Sequence, residues 1–331
     1  MKKKRLLIIL EIALVLALFL GVFLYQQYAV RKDSANIGAE ELAQRYVPFI
    51  TYQDQKYPLK RNLTSMLLIG TDNYADEFAD MAGSNEFFNF RIADFLVVLV
   101  FDNHAKTVTP FQICRDTMCD VEAFDAAGNS LGTRYTQINL SHTAGTGKED
   151  SCTIVRDTVE NLLYHVPIDY YLSFTMDAVP LINDLVGGVT VTLTHDVPVL
   201  GSKYVKGATV TLKGKNALSF VRYRNTAELD SNLMRMDNHR LYMDGFTQAA
   251  RSAVSKDPEL ALKIFEKASP YLCTNMSVQT LQKLVNNLSD YTIQPAVYFS
   301  GKYDWPEDQR WPGYYADEAS VWSCVNKVFC Q

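Results

Sequence analysis

An α/β domain held to a membrane by one N-terminal helix is the fold class the sequence predicts, on three observations. Short apolar runs of strand length end in polar residues at Gly70 to Asp72, at Asp94 and at Arg115–Asp116. Stretches with apolar residues at helical spacing alternate with such runs from about residue 63 to the end, the pattern of helices layered on a sheet in one continuous domain. Ahead of them, Leu6 to Leu24 is a 19-residue apolar run broken only by Glu11. At helical rise it spans roughly 28 Å, close to the hydrocarbon thickness of a bilayer.

Lys2, Lys3, Lys4 and Arg5 precede this run, while Arg31 and Lys32 follow it beside Asp33. The positive-inside rule then keeps residues 1–5 in the cytoplasm and places everything after the span outside, so the chain is expected to be a single-pass protein of the cell membrane. Glu11 lies near the cytoplasmic end, where it can pair with those basics. The run exceeds the roughly 7 to 15 residues of a signal-peptide core and no small-x-small triplet follows it, which favours an uncleaved anchor over residues 6–25. Residues 26–62, polar and carrying Pro48 and Pro58, read as an extracellular stalk, and residues 63–331 as the domain.

Without the four cytoplasmic basics, the formal charge of −5 becomes −9 for residues 6–331. So acidic an exterior argues against a nucleic-acid partner. Arginine clusters inside it point instead to a pocket for a discrete anion. Six cysteines (Cys114, Cys119, Cys152, Cys273, Cys324, Cys330) have no metal-binding spacing; in an exported domain they are as compatible with disulfides as with buried thiols.

Met66 to Ile69 reads as a buried strand that delivers Gly70, Thr71 and Asp72 to its end. Phe95 to Phe101 is a second strand with Asp94 immediately before it, and the VTPFQICRD stretch is a third that ends in Arg115 and Asp116. Between the first two lies a long polar loop whose Phe87, Phe88 and Phe90 either cover an apolar ligand or fold back onto the core. Thr153 to Leu163 has helical spacing, Asp169 to Phe174 reads as a strand, and Met176 to Val186 as a helix ended by Gly187-Gly188 before a strand over Val189 to Leu193. A turn and short strand fall within Gly201 to Thr211. Helices are expected over Met234 to Ala253, Glu259 to Ala268, Val278 to Leu288 and Asp317 to Val328.

Strand ends are where an α/β sheet gathers ligands, so Asp72, Asp94, Arg115 and Asp116 are candidate site residues. The densest ionic stretch is FVRYRNTAELDSNLMRMDNHR. Phe220 to Tyr223 alternates as a strand would, placing Arg222 and Arg224 on one face about 7 Å apart, a spacing suited to a diphosphate. Arg235 follows near a helix start, with His239 one turn on and on the same face. If Asp72 and Asp94 meet, their mutual repulsion calls for a cation or an arginine between them, and a hard divalent ion such as Mg²⁺ or Mn²⁺ fits. The alternatives are surface ion pairs for the arginines and turn caps for the aspartates. GTGKE at Gly145 to Glu149 lacks the first glycine and the final Ser or Thr of a P-loop, and there is no HExxH or GxSxG. The remaining histidines, His104, His142, His165 and His195, read as loop or surface residues.

Taken together, these motifs resemble the LytR-CpsA-Psr family of bacterial cell-envelope enzymes. The resemblance rests on LLIGTD, RIADFLVVLV, RDT, QIN (Asn139), TVENLLYHVPIDYYLSF, LVGGVTV and VRYR in the family's order, over about residues 63 to 250. It implies an LCP-like α-β-α domain with a central mixed sheet flanked by helices. It also implies transfer of a glycopolymer from a polyprenyl diphosphate carrier to a peptidoglycan hydroxyl through a phosphodiester, with teichoic acid or capsule as the type of cargo and polyprenyl diphosphate hydrolysis as a side activity. On this resemblance Asp72 and Asp94 would hold Mg²⁺ and Arg115, Arg222, Arg224 and Arg235 the diphosphate, with Asp116 orienting Arg115 or acting as base; Arg91, Asn139 and His239 would line the substrate.

The sequence also departs from the family pattern. Arg91 stands one residue further from Asp94 than in the usual Arg-x-Asp, so it reaches the site only through a bulge. Gln137 stands where Lys is common, Asn232 where Asp is usual, Asn238 where Arg is and His239 where Gln is, leaving Asp230 and Arg240 to make up the charge. These departures define an alternative function: an envelope scaffold or regulator that binds lipid diphosphate or glycan with weakened catalysis.

Overall fold

The computed structural model describes residues 48–72, 87–257, 259–277, 279–281, 284, 290–306 and 311–331. The expected membrane span, the first part of the stalk, most of the loop between Asp72 and Asp94 and most of the helix expected over Val278 to Leu288 lie outside these residues. No helix among the described residues is long and apolar enough to cross a membrane.

Fourteen strands are described: β1 (Phe49–Tyr52), β2 (Gln55–Pro58), β3 (Leu63–Thr71), β4 (Ala93–Asp102), β5 (Thr107–Ile113), β6 (Met118–Phe124), β7 (Ser130–Gln137), β8 (Tyr170–Thr175), β9 (Val189–Thr192), β10 (Thr209–Leu212), β11 (Leu272–Thr274), β12 (Thr292–Ile293), β13 (Gly301–Asp304) and β14 (Gly313–Ala316). The helices are α1 (Glu149–Leu162), α2 (Ala178–Leu185), α3 (Lys215–Arg222), α4 (Ser231–Lys256), α5 (Leu260–Ala268) and α6 (Glu318–Phe329).

The central sheet has six strands in the order β11-β8-β3-β4-β5-β12. It is mixed: β3 runs parallel to β8 and β5 to β12, while β3–β4, β4–β5 and β8–β11 are antiparallel. β3 shows why a continuous apolar run forms its middle. Leu67 and Ile69 enter the larger core cluster with Val155 and Val159 of α1 and Val325 of α6, whereas Met66 and Leu68 face a second cluster with Phe101, Val108 and Tyr291. A strand covered on both faces has no polar side to show, so its sequence does not alternate. In α1, Cys152, Val155 and Val159 are fully buried at i, i+3 and i+7, one helical stripe.

A third apolar cluster joins β9, β10 and α3, where Val189, Leu212 and Phe220 are buried, and α4 packs against it through Tyr242 and Phe246. Gly187 and Gly188, both at positive φ, end α2 as expected, and the Gly188 amide returns to the Asn183 carbonyl at 2.9 Å. Three two-stranded pairs outside the central sheet were not foreseen from the sequence: β1–β2, within the stretch read as stalk, where Ile50 joins the larger core cluster, and the antiparallel pairs β6–β7 and β13–β14. All six cysteines are free thiols, with Cys114, Cys119, Cys152 and Cys330 buried.

Candidate active site

Asp72 follows the end of β3 and is buried. Asp94 lies inside β4 rather than ahead of it, and the pairing there is irregular: Gly70 faces Phe95 but Thr71 faces Ala93. Asp94 is therefore the extra residue of a β-bulge, a device that re-aims a side chain at a strand end. The bulge absorbs the additional residue between Arg91 and Asp94 noted in the sequence. Gly70 cannot be larger, because a Cβ would lie 2.8 Å from Phe95 Cβ and 3.3 Å from the Phe174 ring.

The Ile92 amide donates to Asp72 Oδ1 at 3.2 Å, while Asp72 Oδ2 is buried without a hydrogen-bond partner. Burial pushes the Asp72 carboxyl up from its ordinary value, and the Ile92 N–H with the charges of Arg115, Arg222 and Arg91 pulls it back. Arg115, two residues past β5, forms an ion pair through Nη1 with Asp94 Oδ1, and Arg235 Nη1 lies 3.5 Å from the same oxygen. These contacts are ionic rather than well-aligned hydrogen bonds. The half-buried guanidinium of Arg115 and the buried one of Arg235 thus converge on one carboxylate, and burial lowers the pKa of both.

Asp116 uses both oxygens to hold this arrangement. Oδ1 accepts from Arg115 Nε at 3.0 Å and Oδ2 from the Tyr303 hydroxyl at 2.8 Å. The Tyr303 oxygen lies 3.3 Å from Cys114 Sγ, which in turn accepts from Asn232 Nδ2 at 3.3 Å. Since the Tyr303 proton is committed to the carboxylate, the Cys114 S–H points to the phenol oxygen, giving a chain of donors from Asn232 through Cys114 and Tyr303 to Asp116. Asn232 Oδ1 meanwhile accepts Arg235 Nε at 2.9 Å and Nη2 at 2.5 Å. Tyr303 and Cys114 carried no signal in the sequence, because Tyr303 reaches Asp116 from β13 across 187 positions.

Arg222 and Arg224 are not on a strand. Lys215–Arg222 is helix α3, with Tyr223 as its extended C-cap; the apolar residues of this stretch, Ala217, Phe220 and Val221, bury as a helical stripe at i, i+3 and i+4. The two arginines nonetheless come to the same neighbourhood, since the charge of Arg222 acts on Asp72 and Arg235, and that of Arg224 on Arg115. His239 is neutral and buried, with Nε2 donating to the Val221 carbonyl at 2.9 Å and its ring edge-on to Phe95 at 5.1 Å. It fixes the end of α3 beside α4 rather than presenting a donor to the pocket.

His142 is not a surface residue. It is buried, and its Nδ1 lies 3.0 Å from the Arg91 carbonyl, leaving Nε2 without a partner. Asn89 Nδ2 reaches the carbonyls of His142 and Gly145 at 2.9 and 3.0 Å and Ser151 Oγ at 3.1 Å. Together they latch the segment that carries Arg91 and Ile92 onto the turn before α1. Asn139 in that turn is fully buried with both side-chain amide atoms unpartnered, and its backbone N–H donates to the Arg115 carbonyl at 3.1 Å. Of the nearby phenylalanines, Phe87 packs on Phe124 at 5.1 Å, whereas Phe88 and Phe90 are exposed.

The LytR_cpsA_psr family profile matches residues 24–305. The chain belongs to the LytR_cpsA_psr family. It is 24% identical over 245 residues (74% of this chain, 70% of the relative) to the polyisoprenyl-teichoic acid–peptidoglycan teichoic acid transferase TagU of Bacillus subtilis. It is 29% identical over 154 residues to TagU of Bacillus licheniformis, a stretch that spans 46% of this chain and about half, 45%, of that relative. Among solved structures, TagT bound to LI-WTA covers 81% of this chain and 90% of its own with a TM-score of 0.60 at 18% identity. B. subtilis TagV gives 0.60 at 23% identity over 81% and 96%. The mixed sheet flanked by helices is thus the architecture of this family.

Within the LytR_cpsA_psr frame, the neutral Asn232 does by hydrogen bonding what a carboxylate would do by charge, since it holds the Arg235 fork alone. Arg240 and Asp230 do not replace the missing charge. Arg240 pairs with Asp237, donates to Gln112 Oε1 at 2.6 Å and lies over Tyr298, while Asp230 is exposed. Among the described residues no group of three or more His, Cys, Asp or Glu could hold a metal ion. A hard divalent ion that takes substrate phosphate oxygens needs only one or two carboxylates, and the buried, unpartnered Asp72 Oδ2 is an oxygen of the kind that requirement calls for. A groove of about 580 Å³ between Gly187–Gly188 and the C-terminal half of α4 shares no lining residue with this site.

Proposed function

We propose that this chain transfers a glycan phosphate from a polyprenyl diphosphate to a hydroxyl of peptidoglycan, at the site formed by Asp72, Asp94, Arg115, Arg222, Arg224 and Arg235. The observation that carries the reading is the convergence of Arg115 and Arg235 on Asp94 Oδ1. Arg115 is ion-paired with both Asp94 and Asp116, and it is the further guanidiniums of Arg235, Arg222 and Arg224, set against these carboxylates and Asp72, that leave an excess of positive charge for a diphosphate to balance. The names of the TagU relatives, which join a polyisoprenyl carrier, teichoic acid and peptidoglycan, support the donor and acceptor classes.

In the proposed reaction the acceptor hydroxyl oxygen forms a bond to the phosphorus next to the sugar. The bond from that phosphorus to the bridging oxygen breaks, polyprenyl phosphate leaves with the electron pair, and the hydroxyl proton passes to solvent. Arg115, Arg224 and Arg235 would bind the diphosphate oxygens and stabilise charge on the bridging oxygen as it leaves. Asp116, with both oxygens engaged, orients Arg115 rather than serving as base. Mg²⁺ or Mn²⁺, held by Asp72 and Asp94, would neutralise phosphate charge. A membrane anchor fits a donor confined to the bilayer.

The test is release of polyprenyl phosphate by the full-length chain in detergent. Asp94→Ala and Arg115→Ala should each abolish it, and unchanged turnover in both would overturn the mechanism. Tight binding of the lipid diphosphate without turnover in the unmodified chain would favour the scaffold reading that the neutral Asn232 suggests.

A further inference from the structure

Cys152 opens the buried stripe of α1, and Cys273 is the middle residue of β11, the outer strand of the central sheet beside β8. The sheet register brings the two together. Cys273 stands opposite Ser173 of β8, Ser173 stands opposite Ile69 of β3, and Ile69 enters the core cluster with Val155 and Val159 of α1. Residues paired across neighbouring strands point to one face of a sheet, so the Cys273 side chain lies on the side that α1 covers. There α1 packs on both β8 and β11, and Cys273 packs against the cluster that contains Cys152. The two thiols are hydrogen-bonding neighbours, and the Ser173 side chain reaches Cys152 as well. Cys152 is fully buried, whereas Cys273 is partly exposed. Other cysteines have different partners: Cys114 engages Tyr303 and Asn232, and Cys324 donates to the Tyr298 carbonyl at 3.5 Å.

We propose that Cys152 and Cys273 form a modification site, oxidised to a disulfide that staples α1 to β11 once the domain is outside the cell. The oxidant is a reactive disulfide of a thiol–disulfide oxidoreductase. The partly exposed Cys273 attacks one sulfur of that disulfide as its thiolate, a mixed disulfide forms, and the oxidant's other sulfur leaves with the electron pair. Cys152, as thiolate, then attacks Cys273 Sγ; the mixed disulfide breaks, and the oxidant departs as a dithiol carrying both electrons and the two thiol protons. The Cys152 S–H, donated to Cys273, holds the Cys273 thiol below its ordinary value, which suits it to the first attack. A crosslink here closes a loop of more than a hundred residues, the case in which restricting the unfolded chain stabilises most. Cys152 also follows Ser151, whose Oγ accepts from the Gly147 amide and from Asn89 Nδ2, so the staple pins the turn onto which the Arg91 segment is latched. The assignment rests on the exterior placement of the domain and not on the group it transfers.

The experiment isolates the full-length chain from membranes quenched with iodoacetamide in denaturant and maps its peptides by mass spectrometry without reduction. A linked pair of peptides carrying Cys152 and Cys273 is expected, with the other four cysteines alkylated. Alkylation of both Cys152 and Cys273 would overturn the proposal, as would linkage of either to a different cysteine. In detergent, a reductant should lower the melting temperature of the chain by roughly 5 to 15 °C. Cys273→Ser should abolish that shift and Cys324→Ser should keep it. A melting temperature indifferent to reductant would overturn the staple. The peptide map needs no variant, so it decides the matter if Cys273→Ser fails to fold. Absence of lipid phosphate release from every form, with the linked peptides present, would instead remove the transfer reading and leave the disulfide standing.

Discussion

Tyr303 donates its phenolic hydrogen to Asp116 Oδ2 over 2.8 Å, joining the C-terminal hairpin to the turn that carries Arg115. Asp116 then fixes Arg115 through Nε, and Arg115 faces Asp94. The guanidinium is thus aimed by a residue that touches no reacting atom. Tyr303→Phe removes the donor while keeping the ring packed on Tyr314 at 5.2 Å. A hydrogen bond to a charged group contributes roughly 1.5 to 3 kcal/mol, so turnover should fall about ten- to a hundredfold with KM for the lipid diphosphate little changed. Steady-state kinetics of the variant check this.

Arg235→Lys keeps the charge but loses the fork that Asn232 Oδ1 grips with two hydrogen bonds. An ammonium cannot reproduce that planar pair, so affinity for polyprenyl diphosphate should drop at least about tenfold. Calorimetric titration with a short-chain polyprenyl diphosphate measures the loss directly.

His142 and His239 give the domain an acid limit. Burial holds both neutral, His142 down to about 4 and His239 down to about 3, against an ordinary value of 6.5. A histidine whose folded pKa is depressed contributes stability that is complete above its unfolded value and lost as pH falls from there toward its folded value. Urea midpoints should therefore fall steadily between pH 6.5 and about 3 to 4, and His239→Gln should flatten the lower part of that slope. A stability independent of pH across this range would contradict the burial of both rings.

Divalent ions should stabilise the folded chain. Asp72 carries a buried carboxyl oxygen without a partner, its pKa raised by burial, and a cation there relieves that cost. At a concentration a hundredfold above Kd, binding contributes about 2.7 kcal/mol. Mg²⁺ or Mn²⁺ should raise the melting temperature, and Asp72→Asn should remove the shift. Differential scanning calorimetry with and without chelator reads it without any turnover.

Much of the fold was legible because β3, β4 and β5 are apolar runs of strand length and α1 places Cys152, Val155 and Val159 at helical spacing. The β6–β7 ribbon was not, because β7 is exposed along nearly its whole length and buries no apolar stripe, so its run resembles a loop. The segment around Arg222 misled for a different reason. Over four residues, alternation in Phe220 to Tyr223 fits a strand as well as a helix end, and only packing of Phe220 and Val221 into the cluster with Leu212 decides for the helix. In the site, strand ends revealed Asp72, Asp94, Arg115 and Asp116, since chemistry concentrates there. Tyr303, Asn89 and His142 were invisible, because their contacts depend on tertiary pairing over long stretches of chain.

The most direct test of the central claim is a crystal structure of the chain with a short-chain polyprenyl diphosphate and Mn²⁺, the metal located by its anomalous scattering. The account predicts a Mn²⁺ peak beside Asp72 Oδ2 and Asp94, with diphosphate oxygens on Arg115 and Arg235. A diphosphate bound away from these arginines, or a metal peak remote from Asp72, would contradict it.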